Sequence, residues 1–302
     1  MDFIKKHCLF CQDKEDLVEL YPQTFTDQDL TPEVFSARRI TEHFHYAIVR
    51  CRNCGLVFSR EILPDEILSR LYSQSNVTFG EYMDIIRRDY WRSLAPFMDG
   101  VHRGEALEIG CSTGFFLEEL LAQGFQDVCG CEPSIEAKEM AGTCVRGNIT
   151  SGFFKEGLYE NRRFDLVCSF QTLDHLGDPV KVIRISNDIL KPGGLAYFIT
   201  HNVDGLQAKI LGEKSPIIDV EHVYLFNKVT LRRLLEMTGF EVMDVSNVRN
   251  SYPLEYWLKM FPLAKTVKNV MRNSFKRLGL SSVPVPLKAG NIYIVGKRRH
   301  DL

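Results

Sequence analysis

The run Leu107-Glu108-Ile109-Gly110-Cys111-Ser112-Thr113-Gly114-Phe115-Phe116-Leu117 constrains this chain most. It reads as a strand that ends in a tight glycine turn and opens a helix. Such a turn lets the backbone come close to a bound nucleotide. The first acid in the next strand region is Glu132, followed by Pro133. It lies about twenty residues after Gly110, where a nucleotide-binding α/β unit places a carboxylate for ribose hydroxyls. The glycines are spaced G-x-x-x-G, so the G-x-G-x-x-G dinucleotide fingerprint fails. No G-x-x-x-x-G-K-[ST] cradle is present either. What remains is a nucleoside without a phosphate chain.

Alternation of strand and helix signals along 105–295 predicts an α/β fold with a doubly wound, mostly parallel seven-stranded sheet. The predicted strands are 105–109, 128–131, 145–151, 164–170, 195–200, 241–248 and 291–295. Phe164 to Phe170 is a near-continuous apolar run, as a buried parallel strand requires. Ligand is expected at the carboxyl ends of the first and fourth strands.

Two C-x-x-C pairs, Cys8/Cys11 and Cys51/Cys54, open the chain. Each such turn aims both sulfurs at one point, and two turns make a closed tetrahedral zinc site. Gly55 suits the knuckle after the second pair; Gln12 stands at the same place after the first. Free thiols in a small core and a redox dithiol are the competing readings. The predicted organisation is a zinc-binding module over 1–70 and a catalytic domain over 71–302, joined by a helix over 81–98. Within the second, 250–288 is an insertion before the last strand.

The motifs Glu108-x-Gly110-x-x-x-Gly114, Glu132, Phe164 to Phe170 and Leu190-Lys191-Pro192-Gly193-Gly194 occur in an order that resembles the class I S-adenosylmethionine (SAM) dependent methyltransferases. The resemblance implies that the amino-acid end of SAM lies against Gly110, Cys111, Ser112 and Gly114. It implies that Glu108 orients the loop or the ammonium, and that Glu132 accepts the ribose hydroxyls beside Pro133. Phe153 is expected near adenine, and Phe170 and Gln171 along the transfer site. A hydroxyl or C–H acceptor needs a base within hydrogen-bond reach. Of the histidines at 102, 175, 201 and 222, His222 is best placed, with Glu221 beside it and His175 as a second candidate.

The zinc module joined to a Glu221-His222 pair resembles the deoxysugar C-methyltransferases, without their additional C-terminal domain and with Asp219 where those enzymes carry a tyrosine. A sugar, nucleotide-sugar or glycan precursor is therefore the expected acceptor. The alternatives are an O-methyltransferase on a lipid-like acceptor, an RNA methyltransferase and a non-catalytic SAM-binding protein. The charge balance, 37 basic against 39 acidic residues, and acids at 13, 15, 16, 19, 27, 29 and 33 argue for a small-molecule acceptor and no nucleic acid. Over 254–279, an aromatic stretch and a basic amphipathic helix read as a lid or surface helix packed on the core, with a peripheral membrane contact as the alternative. With no signal segment or apolar run long enough to span a bilayer, a cytoplasmic protein is expected.

Overall fold

The computed structural model describes residues 2–35, 43–75, 77, 82–260, 264–288 and 290–299. Its main sheet has seven strands, in the order Phe240–Asn247, Asn291–Arg298, Leu190–His201, Phe164–Phe170, Glu105–Ile109, Asp127–Glu132 and Ile149–Ser151. The five strands from Leu190–His201 to Ile149–Ser151 pair in parallel. Asn291–Arg298 runs antiparallel between its two neighbours. Every residue of Phe164–Phe170 is buried, because helices cover both faces of a parallel sheet.

The helices begin where local chemistry starts them. Gly114, at φ 69°, opens Phe115–Ala122. Ser134 accepts from the Ala137 amide to cap Ile135–Glu139, and Asp178 accepts from the Lys181 amide ahead of Pro179–Ile189. Asn227 and Thr230 form a reciprocal cap on Lys228–Glu236.

Two strand starts differ from the sequence expectation by more than one residue. The third strand begins at Ile149 rather than 145, because Arg146–Asn148 is a helical turn. The Arg146 guanidinium donates to the Ala141 carbonyl, and the Asn148 amide donates to the Val128 carbonyl. The fifth strand extends back to Leu190, with a register shift between Leu190 and Leu195 that takes up the Pro-Gly-Gly sequence.

The N-terminal residues form a second sheet from Leu17–Tyr21, Ile48–Cys51 and Val57–Ser59. Its fourth strand is Tyr224–Leu225, antiparallel to Val57–Ser59. The expected boundary at residue 70 is thus bridged by one sheet. The helix Met83–Leu94 lays Tyr90 flat on Phe170, with centroids 4.5 Å apart.

In the insertion, Asn250–Pro253 and Pro284–Leu287 pair as a ribbon around the helices Leu254–Met260 and Lys265–Arg277. Tyr252, Trp257 and Leu258 are buried, and the Trp257 indole donates to the Val285 carbonyl. Phe261, Pro262 and Leu263 of the aromatic stretch lie outside the described residues. No helix among the described residues is long and apolar enough to cross a membrane.

Asp165 ties the amino ends of three strands. It accepts from the Glu105 amide at 2.8 Å and the Lys191 ammonium at 2.7 Å. Burial opposes its charge, but the Lys191 ammonium and the Glu105 amide hold its carboxyl below the usual carboxylate range. A depressed folded pKa contributes stability above the unfolded pKa, and that stability fades as pH falls through the folded value. Asp165→Asn is expected to lose about 1–3 kcal/mol at pH 7. Urea titrations at pH 7 and pH 3 should show the gap from wild type narrowing at the lower pH.

Candidate active site

The carboxyl ends of Glu105–Ile109, Asp127–Glu132 and Phe164–Phe170 open into a cavity of about 590 Å³. Gly110 takes φ 72°, and a Cβ there would collide with the Thr172 hydroxyl and methyl. Ser112 and Gln171, at φ 49° and 53°, hold left-handed backbone that favours glycine. The turn is therefore shaped at some conformational cost where a ligand must approach closely.

Glu132 fixes this turn. One carboxylate oxygen accepts from the Ser112 amide and the other from the Ser134 amide, both at 2.8 Å. Burial pushes its carboxyl up, with those amides opposing. Glu108 is buried, and burial followed by the Glu132 charge pushes its carboxyl well above the usual range. Glu108 Oε2 and Gln171 Oε1 are buried without a hydrogen-bond partner.

Pro133, Phe153, Phe170, Gln171 and Ser112 also line the cavity. Two predicted cofactor residues do not. The Cys111 side chain packs under Gly130, and Gly114 packs toward Val145 and Ile149. Both shape the turn from behind.

At the other end of the cavity, three imidazoles surround one carboxylate. Asp174 is fully buried in the turn Leu173–His175. Its Oδ2 lies 2.5 Å from Nδ1 of His201, the last residue of its strand, and 3.9 Å from Nε2 of His222. The His222 ring sits edge-on to those of His175 and His201, at centroid distances of 4.8 and 4.7 Å. The Tyr72 hydroxyl pairs with His175 Nδ1 at 3.1 Å. Burial opposes the Asp174 charge, but the three rings, His201 foremost, hold its carboxyl far below the usual range. Burial pushes His175 down, with Asp174 opposing. Burial and then the two neighbouring rings push His222 well down, with Asp174 opposing. Glu221 lines the same cavity.

The segment carrying His222 is held from outside the catalytic core. The Ser59 hydroxyl donates to the His222 carbonyl at 2.9 Å, and the Ser59 amide donates to the Val223 carbonyl at 2.8 Å. The Val223 amide donates to the Asp174 carbonyl at 2.7 Å. Asp174 and Tyr72 were not anticipated from the sequence. Asp174 directly precedes His175, and no sequence pattern marks it as a partner of three rings. Tyr72 reaches the site by a contact across the molecule that carries no local pattern.

The four cysteine sulfurs at 8, 11, 51 and 54 lie within 4.8 Å of one another. Gln12 takes φ 44° and Gly55 φ 79°, and each donates its amide to the first cysteine carbonyl of its pair. Two matching knuckles result, and the donor set fits a closed four-thiolate zinc site.

A methyltransferase-domain family model matches residues 82–245, more than half of the chain. The chain belongs to this methyltransferase-domain family. The matched core is similar to a tRNA U34 carboxymethyltransferase of Idiomarina loihiensis, 25% identical over 178 residues, which are 55% of each chain. It is also similar to a ubiquinone biosynthesis O-methyltransferase of Vibrio vulnificus, 30% identical over 123 residues, 39% of this chain and 51% of that one. The chain thus spans about half the length of either relative. The fold matches a SAM-dependent methyltransferase of Thermotoga maritima, at a TM-score of 0.50 and 18% identity over 73% of this chain and 94% of that one.

These relatives correct the expectation of a small-molecule acceptor with no nucleic acid, because a protein named for tRNA shares this methyltransferase core. Of the segment 254–279, Trp257 and Leu258 are buried in protein, while Val267, Val270 and Leu278 are exposed. Neither relative is named for a sugar, so the deoxysugar assignment is not retained. The cradle fits SAM on the structure's own terms. Glu108 Oε2 and Gln171 Oε1 are buried with no hydrogen-bond partner, and Gly110 lets the turn close against Thr172 at the cavity wall.

Gly110→Ala is expected to lose about 1–3 kcal/mol of stability through left-handed strain and the clash with Thr172. Adding Thr172→Ala should recover the part due to the clash, leaving the backbone cost. Thermal denaturation of both variants measures the split.

Proposed function

We propose that this chain transfers the methyl group of SAM to an oxygen acceptor seated among His175, His222 and Glu221. The observation that carries this reading is one continuous cavity, which joins the Gly110–Glu132 cradle to the histidine cluster. The O-methyltransferase relative supports an oxygen acceptor.

SAM supplies the activated methyl group on its sulfonium. Glu108 would take the ammonium, and Glu132, already fixed by two amides, the ribose. Phe153 flanks the adenine side, while Phe170, stacked on Tyr90, and Gln171 wall the transfer point. The chain's own task is to align the acceptor oxygen with the methyl carbon and to exclude water, which supplies much of the acceleration in such displacements. His175 and His222 face the acceptor group that must lose a proton and would activate it there. The four-cysteine site would hold zinc as a structural ion that fixes the module bracing His222.

An RNA acceptor is the second reading. Beyond the tRNA relative, one observation favours it: Lys259, Lys268, Arg272, Lys276 and Arg277 lie on the insertion whose Tyr252, Tyr256 and Trp257 line the cavity. Basic residues beside aromatics at an opening suit a polyanionic chain with an unstacked base.

Isothermal titration should show saturable binding of S-adenosylhomocysteine, weakened at least tenfold, or about 1.4 kcal/mol, by Glu132→Ala. Transfer of labelled methyl from SAM, scored against bulk tRNA and a panel of phenols, separates the two acceptor readings. His222→Ala should lower turnover at least a hundredfold while leaving homocysteine-form binding intact, on the scale of a lost acceptor-activating group. Elemental analysis should find zinc that is lost, with a fall in melting temperature, in Cys51→Ser/Cys54→Ser.

A further inference from the structure

We propose that Asp174, His175 and His222 form a binding site for a divalent transition-metal cation that takes the acceptor oxygen as a further ligand. This rests on the reading of the cavity as a methyl-transfer site and gives its acceptor end a chemistry. One donor atom from each of the three residues lies within 4.8 Å of the other two. Tetrahedral ligands about 2.1 Å from an ion stand about 3.4 Å apart. Closing the three donors onto an ion therefore takes side-chain shifts on the order of 1 Å.

The second observation is an unused donor. Asp174 is fully buried, and its Oδ1 has no hydrogen-bond partner. A buried carboxylate oxygen left unpaired is costly unless something binds it.

The surroundings are those of ligands already oriented. The Tyr72 hydroxyl pairs with Nδ1 of His175. His201 holds the other oxygen of Asp174. Outer partners of this kind fix tautomer and direction in metal-binding imidazoles and carboxylates. Two imidazoles and one carboxylate suit manganese, iron(II) or zinc, and such a triad leaves open positions for substrate.

A hydroxyl on the cation is a stronger acid. In the transfer it yields its proton to water, its oxygen bonds to the methyl carbon, and the carbon–sulfur bond breaks with the electron pair passing to sulfur. The acceptor class is then a hydroxyl, and one with a second neighbouring oxygen gains most, by chelation. In this arrangement His175 and His222 act as ligands, and no side-chain base is needed.

Mn²⁺ is the probe, because the thiolate site disfavours it. The full chain, purified with its thiolate metal in place, is titrated with Mn²⁺ and followed by electron paramagnetic resonance. One bound Mn²⁺ per chain is expected, with affinity lowered at least tenfold in His175→Gln and in His222→Gln. Both variants should keep the melting shift given by S-adenosylhomocysteine, which shows that they fold. Wild-type protein that binds the homocysteine form but neither Mn²⁺ nor added Zn²⁺ beyond the thiolate site would overturn the cation alone. So would Mn²⁺ binding unchanged in both variants. Absence of homocysteine-form binding would instead sink the methyltransferase reading.

Discussion

Two residues of backbone pairing, Tyr224–Leu225 on Val57–Ser59, join the cysteine-bearing sheet to the catalytic core. The pairing continues through Ser59 onto the carbonyls of His222 and Val223, and from the Val223 amide to Asp174. One ladder therefore runs from the strand that carries Cys51 to the carboxylate beneath the histidines. The loop that bears His222 is thus held from both sides, by Ser59 of the N-terminal sheet and by the Asp174 carbonyl of the core. The N-terminal module is therefore a structural part of the active site, and a metal in its knuckles would act at a distance through the backbone.

The site concentrates charge that a protein interior resists. Glu108 and Glu132 share the cofactor end, and burial raises both carboxyls. Burial opposes the charge of Asp174, and the facing rings, His201 foremost, lower its carboxyl. Buried charges of this kind rarely add net stability. Their positions make sense as preparation for cationic partners: an ammonium at one end and, on the inference above, a metal cation at the other. Left-handed Ser112 and Gln171 add backbone strain at the same cavity, a pattern common where ligands are bound.

Much of the fold was legible from local pattern. The apolar run of Phe164–Phe170 and the turn at Gly110 are local signals, and both strands lie where the pattern puts them. The third strand was overextended because Arg146 and Asn148 bend the chain through side-chain bonds that no periodicity records. Glu132 was visible because its spacing from the glycine turn follows from the strand–helix–strand unit. Tyr72 and the role of Asp174 were not, since each depends on contacts between distant segments. The basic insertion showed its amphipathic helix, but not that its aromatics would fold inward and line the cavity.

The most direct measurement is a crystal structure of the full chain with S-adenosylhomocysteine bound. The account predicts the ribose on Glu132, the ammonium at Glu108 and the sulfur facing the Asp174–His222 cluster along the cavity. A ligand whose sulfur points away from that cluster, or one seated elsewhere in the molecule, would contradict it.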